Sequence, residues 1–271
     1  MRLHTEILGP TGGYPVLCLH GHPGSGRAMS VFAEPLAERG FRTYAPDLRG
    51  YGRSRTKYPF EMTRHLDDLE ELLAVQGIER CLVVGWSLGG ILTMELALRR
   101  PEVVQGMVLI GTAARPRGSH PPISLMDNVI TGLAGVLNWM SPGGKGAIAL
   151  GKKSLFRHLM CHHTPAAYRY LAAQGAPALI KMSRQADAAL SRAIRAGYNR
   201  VPDLSALTMP SLMLCAECDR HITADSSLET AKALPNCKAH CYPDTAHLFP
   251  WEIPAQANAD IHQWLAALNF I

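Results

Sequence analysis

Cys81-Leu82-Val83-Val84-Gly85-Trp86-Ser87-Leu88-Gly89-Gly90 is the stretch on which the reading of the whole chain turns. Its first four residues form a short, uninterrupted apolar run, the pattern of a strand buried on both faces of a parallel sheet. From Leu88 to Arg100 the pattern turns helical, and it stops at Pro101 with two arginines in the last turn. The junction is G-x-S-x-G. By composition alone this pattern arises in roughly one of ten chains of this length. Behind a buried strand and at the head of a helix it reads instead as a nucleophile elbow. Such a turn forces Ser87 into a strained backbone, so its close neighbours, Gly85 and Gly89, lack side chains. The helix that follows aims amide hydrogens and positive dipole at any oxyanion forming beside the serine. The plainer alternative is a glycine-rich turn with an idle serine.

Outward from the elbow the same rhythm repeats. Val16–Leu19 ends at His20-Gly21, Arg42–Ala45 at Pro46-Asp47, and Met107–Ile110 at Gly111. Met62, Leu66, Leu69 and Leu73 recur at helical spacing. After Thr112 the strand runs stop, and several helical segments follow, among them Ile123 to Met140 and Ala166 to Ala173. Strands resume with Ser211–Ala216 and Lys238–Tyr242, and a last amphipathic helix runs from about Pro254 to Leu268. The reading is a βα frame, 1–112 and 206–271, split by a helical insertion, 113–205. That insertion carries 12 Lys/Arg against 3 Asp/Glu, a charge of +9, which leaves −4 for the frame of a chain whose net charge is +5.

Composition narrows the possibilities further. With 271 residues, 47% apolar and 18% charged, the chain builds a sizeable core and is not a disordered protein. No run reaches the roughly 18 apolar residues of a membrane span. The N-terminus has no signal-type apolar run. Seven cysteines, an odd number, suit reduced thiols better than a disulfide framework. A cytoplasmic protein is expected. Nothing interleaves aromatics with basic residues in the manner of a nucleic-acid surface.

A serine hydroxyl needs a base. His247 lies in Asp244-Thr245-Ala246-His247, a loop after the last strand run, where α/β sheets place reactive groups. Asp219 follows the Leu212–Ala216 run at the equivalent position and supplies the acid that orients an imidazole. The order is Ser87, Asp219, His247. With these residues in place the chain resembles the α/β-hydrolase superfamily, specifically its cap-bearing, esterase-like serine hydrolases. His20-Gly21-His22-Pro23-Gly24-Ser25 resembles that family's H-G-x-P loop. Asp47-Leu48-Arg49-Gly50-Tyr51-Gly52-Arg53-Ser54 resembles its D-x-R-G-x-G-x-S loop, read here as structural. The resemblance implies an α/β fold, a mostly parallel central sheet flanked by helices, with the helical cap inserted after the sixth strand. It implies an oxyanion hole built from the backbone amides of His22 and Leu88, and no cofactor or metal. Dehalogenases and epoxide hydrolases of this fold carry aspartate where this chain has Ser87, which points to acyl chemistry. The expected partner is a small, partly apolar acyl substrate, a carboxylic ester foremost. Cleavage of a β-diketone-like carbon–carbon bond, a lactone or a thioester are the enzymatic alternatives. A ligand receptor on the same fold is the non-enzymatic one.

Other signals are weaker. Cys215-Ala216-Glu217-Cys218 is a C-x-x-C, read as two packed thiols rather than a redox site because it ends a strand. His20, His22, His162 and His163 are not expected to bind metal. The uncharged run Asn128 to Met140 reads first as a cap helix packed on its neighbours. The alternatives are a roof over an acyl pocket or a lid touching a lipid surface. Lys145, Lys152, Lys153 and Arg157 behind it read as a solvated face, or else as recruiters of an anionic substrate.

Overall fold

A computed structural model describes residues 1–269. The apolar runs become a seven-stranded sheet: β1 (Thr5–Leu8), β2 (Pro15–Leu19), β3 (Arg42–Pro46), β4 (Cys81–Trp86), β5 (Val104–Ile110), β6 (Ser211–Ala216) and β7 (Cys237–Tyr242). Their order is β1-β3-β2-β4-β5-β6-β7. Only β1 is antiparallel to its neighbour, β3, and every other pair is parallel. Alternate residues serve opposite faces. Leu17, Leu19, Val83, Leu109 and Met213 pack with α2 (Arg64–Gln76) and α3 (Leu88–Arg99). Val16, Cys18, Val84, Val108 and Leu212 pack with Phe32 of α1 (Ser30–Glu38) and with Ile261 and Trp264 near the C-terminus. Both faces being covered explains why these strands read as continuous apolar runs. Thr5–Leu8 alternates between half-buried and exposed on the sheet edge, so β1 shows no such run.

Between β5 and β6 lie α4 (Leu125–Met140), α5 (Lys145–Gly151), α6 (Pro165–Tyr170), α7 (Ala176–Lys181) and α8 (Arg184–Arg195). This helical segment therefore follows the fifth described strand. The expectation placed it after a sixth strand; five strands precede it among the described residues. After β6 come α9 (Ala224–Ala233), then β7, then α10 (Phe249–Glu252) and α11 (Pro254–Ala267).

Two local expectations change. Cys215 is packed, opposite Cys241 on β7, but Cys218 is exposed, its amide bonded to the carbonyl of Thr245. The two ends of the C-x-x-C thus belong to different surroundings, because the chain leaves the sheet after Ala216. The helix read as packed through its apolar residues, α4, instead turns them outward. Its inward stripe is Asp127, Thr131, Ala134 and Asn138, and its large apolar residues other than the half-buried Ile130 are exposed.

Candidate active site

The elbow sits where β4 meets α3 at the centre of the sheet. Ser87 has φ 54° and ψ −115°, a left-handed conformation that an L-residue adopts only at a cost of order 1–3 kcal/mol. Its surroundings hold it there. The Ser87 amide donates to the carbonyl of Ile110 at 2.9 Å, and the Ser87 carbonyl accepts from the Thr112 hydroxyl at 2.8 Å. The flanking glycines answer a demand for space. A Cβ at Gly85 would lie 2.3 Å from Thr93 Oγ1, and one at Gly89 would lie 1.9 Å from the carbonyl oxygen of Leu19. Helix α3 thereby approaches β2 more closely than any side chain permits.

The structure brings the three distant residues together. His247 Nε2 lies 3.2 Å from Ser87 Oγ, and His247 Nδ1 lies 2.7 Å from Asp219 Oδ2. The other carboxylate oxygen of Asp219 accepts the amides of His221 at 2.8 Å and Ile222 at 3.0 Å. Burial raises the Asp219 carboxyl, but the imidazole and those two amides more than offset it, so the group lies below its ordinary range. An ionised carboxylate on Nδ1 fixes the tautomer that leaves Nε2 free to accept a proton. The imidazole is flanked by the rings of Trp86 at 5.5 Å and His221 at 5.0 Å.

The loop after β2 lies against the elbow. A Cβ at Gly21 would come within 3.1 Å of Ser87 Cβ. Among the described residues, the amides of His22 and Leu88 donate to no protein acceptor. Leu88 is the first residue of α3, where an N–H has no partner within the helix. His20 is accounted for structurally, since its Nδ1 bonds the Gly21 carbonyl at 2.7 Å and its Nε2 accepts the Leu48 amide at 3.0 Å. Burial holds that imidazole down at about 4, hence neutral. The Asp47–Ser54 loop acts as a brace. Asp47 accepts the amides of Gly26 and Arg53, each at 2.7 Å, and Ser54 Oγ accepts the amide of His4 at 2.9 Å. Among the described residues no group of three or more His, Cys, Asp or Glu is arranged to hold a metal.

Further contacts that the sequence reading did not draw surround these residues. Tyr51 Oη bonds His22 Nδ1 at 2.8 Å, and Asp187 of α8 approaches His22 Nε2 at 3.4 Å, so the helical segment reaches the loop beside the serine. Glu252, at the end of α10, spans the seam between that segment and the His247 loop. One oxygen accepts the Ala246 amide at 3.0 Å, and the other accepts those of Cys161 at 2.8 Å and His162 at 2.5 Å. An aromatic ladder runs beside it, with Trp86 edge-on to Trp251 at 4.7 Å and Trp251 stacked on Tyr170 at 3.8 Å. The signal for Asp187 was available, as the one carboxylate between Asp127 and Asp203. Glu252 and Tyr51 carried none, because the partners that tie them to other segments lie 29 to 91 residues away.

Comparison with known proteins agrees with the fold. A family model described as the alpha/beta hydrolase fold matches residues 14–142. Lipase LipV of Mycobacterium tuberculosis is 38% identical over 118 residues, 44% of this chain and 44% of its own length. An esterase from Thermogutta terrifontis superposes with a TM-score of 0.71 at 23% identity, over 98% of this chain and 93% of that one. An esterase from Exiguobacterium antarcticum gives 0.75 at 16% identity, over 97% and 95%. Identities this low speak for the fold. The chain spans less than half the length of the curated relatives it matches. Residues 14–142 match the α/β-hydrolase family, and the described chain has that fold.

Proposed function

We propose that the protein is a serine hydrolase that cleaves a carboxylic ester, or a closely related acyl compound, through an acyl-enzyme. The observation that carries this reading is the hydrogen-bonded chain from Ser87 Oγ through His247 to Asp219, with lengths of 3.2 and 2.7 Å. Ser87 Oγ attacks the carbonyl carbon while His247 Nε2 takes its proton. The oxyanion that forms accepts hydrogen bonds from the amides of His22 and Leu88, which are fixed beforehand and need no reorganisation. The imidazolium, held by Asp219, returns the proton to the departing alkoxide. Water, deprotonated by the same imidazole, then attacks the acyl-enzyme and releases the acid and free Ser87. The segment 113–205 serves as the cap, its Asp187 and residues 159–162 meeting the oxyanion loop and the His247 loop. The names of the lipase and esterase relatives favour the ester among acyl substrates.

A fluorophosphonate probe tests the nucleophile. Prompt labelling of the native protein, abolished in Ser87→Ala and in His247→Ala, is the expected result. A folded protein that fails to label overturns the reading. Turnover of p-nitrophenyl esters of graded chain length, beside a thioester and a lactone, assigns the bond.

A further inference from the structure

Helix α4 is amphipathic the wrong way round for a packed helix. Its inward stripe is small and polar, and every polar group on it has a partner. Ser124 and Asp127 form a capping box, and Asp127 also pairs with Arg157 at 2.7 Å. Thr131 Oγ1 donates to the Asp127 carbonyl at 2.6 Å and accepts the Leu155 amide at 2.9 Å. Asn138 donates to the Tyr168 carbonyl at 2.7 Å and accepts the Gly143 amide at 3.0 Å. These bonds fix which side faces the protein. The opposite side, Met126, Val129, Leu133, Val136, Leu137 and Met140, is wholly apolar and exposed. Leu125 and Trp139 flank it at 81% and 73% exposure. The turn at 171–175 packs on α4 and leads into α7, where Leu179 and Ile180 are also exposed. Single exposed apolar residues are ordinary, but a continuous helix face of them is not.

The charge around this face identifies what covers it. From 128 to 186 the chain contains seven Lys/Arg and no Asp or Glu. Lys145, Lys152, Lys153, Arg169 and Lys181 are exposed, and no ion pair neutralises them among the described residues. An uncharged apolar face on a segment whose exposed cations are unpaired, Lys145 among them on the helix that packs against α4, matches a bilayer with anionic headgroups, which offers hydrocarbon to the one and phosphate to the other. A second copy of the chain would bring the same cations against themselves. We propose that α4 docks the protein on an anionic lipid surface, its outward face among the acyl chains and these cations at the headgroups. Docking of this kind does not depend on Ser87 being a nucleophile.

The protein carries its own reporter. Trp86, Trp251 and Trp264 are buried, so Trp139 is the exposed tryptophan on this face. The expected results are co-sedimentation of the full chain with phosphatidylglycerol-containing vesicles, a blue shift of its emission, and quenching by brominated acyl chains. Leu133→Asp should weaken partitioning about tenfold or more, through loss of an apolar side chain's burial. Lys152→Gln and Lys153→Gln should each weaken it about fivefold, more at low salt than at high salt. All three positions lie outside the core, and an unchanged thermal midpoint verifies the fold. Absence of binding to anionic vesicles overturns the proposal. So does a dimer in lipid-free solution that Leu133→Asp dissociates, since the face would then belong to a second copy.

Discussion

Replacing Glu252 by Gln tests whether the helical segment and the His247 loop are one mechanical unit. The carboxylate is 8% exposed and accepts three backbone amides, two from residues 161–162 and one from Ala246, the residue before His247. Hydrogen bonds to a charged acceptor contribute about 1.5–3 kcal/mol each. A glutamine has one acceptor oxygen. It keeps either the pair at 161–162 or the bond to Ala246, and it turns an NH2 against the other donor. Part of the loss is offset, because burial raises the Glu252 carboxyl and the neutral side chain no longer bears that desolvation. The net expectation is a destabilisation of about 2 kcal/mol, measured by urea unfolding. If the amide loses the Ala246 side, His247 shifts relative to Ser87 and kcat falls, with KM little changed. Loss of the 161–162 side instead loosens the segment and raises KM. Glu252→Ala should show both effects. A Glu252→Gln protein of unchanged stability, kcat and KM would refute the idea that this carboxylate joins the two parts.

Asp219→Asn should lower kcat by about 10³ to 10⁴ with the fold intact. The amide NH2 would face His247 Nδ1 and place the ring proton on Nε2, toward Ser87; a larger loss in Glu217→Gln or Asp244→Asn would reassign the acid. A second expectation concerns acid stability. His20 and His65 are buried, and burial lowers their imidazoles to about 4 and about 3. The unfolded chain binds those protons near pH 6.5 and the folded protein does not, so stability falls as pH drops below that value. At pH 5 the loss is about 2 kcal/mol per imidazole. Denaturation at pH 8 and pH 5 should show this, and His65→Leu should remove about 2 kcal/mol of the difference, one imidazole's share beside His20 and His221; an unchanged difference would discount the buried ring.

What could be read along the chain, and what could not, follows from the range of the interactions. Strands β2, β4, β5 and β6 were legible because a strand covered on both faces is apolar at almost every position, whereas β7 lies largely exposed on the far edge and carries Lys238 and His240. The edge strand β1 is covered on neither side fully and has no such signature. Ser87 was legible because the elbow imposes local demands, at Gly85 and Gly89, that appear at fixed offsets. His247 and Asp219 were legible because the ends of parallel strands are few, although Glu217 beside Asp219 and Asp244 beside His247 left the acid less sharply marked than the base. Tyr51, Asp187 and Glu252 answer to partners 29, 165 and 6 to 91 residues away, and no spacing rule links such pairs.

Helix α4 shows a different kind of limit. Its two faces are plain in the sequence, since Asp127, Thr131, Ala134 and Asn138 recur at helical spacing opposite the apolar residues. Which face turns inward is not a property of the helix. Burying the apolar face would be worth more if a complementary apolar surface were present. Here the neighbours at 143, 155, 157 and 168 present amides, a guanidinium and a carbonyl instead, and these need polar partners when covered. The helix therefore satisfies the polar demand of its own segment and leaves the apolar demand to its surroundings. That division is stable in water only at the cost of exposed hydrocarbon, which an apolar phase outside the protein would remove.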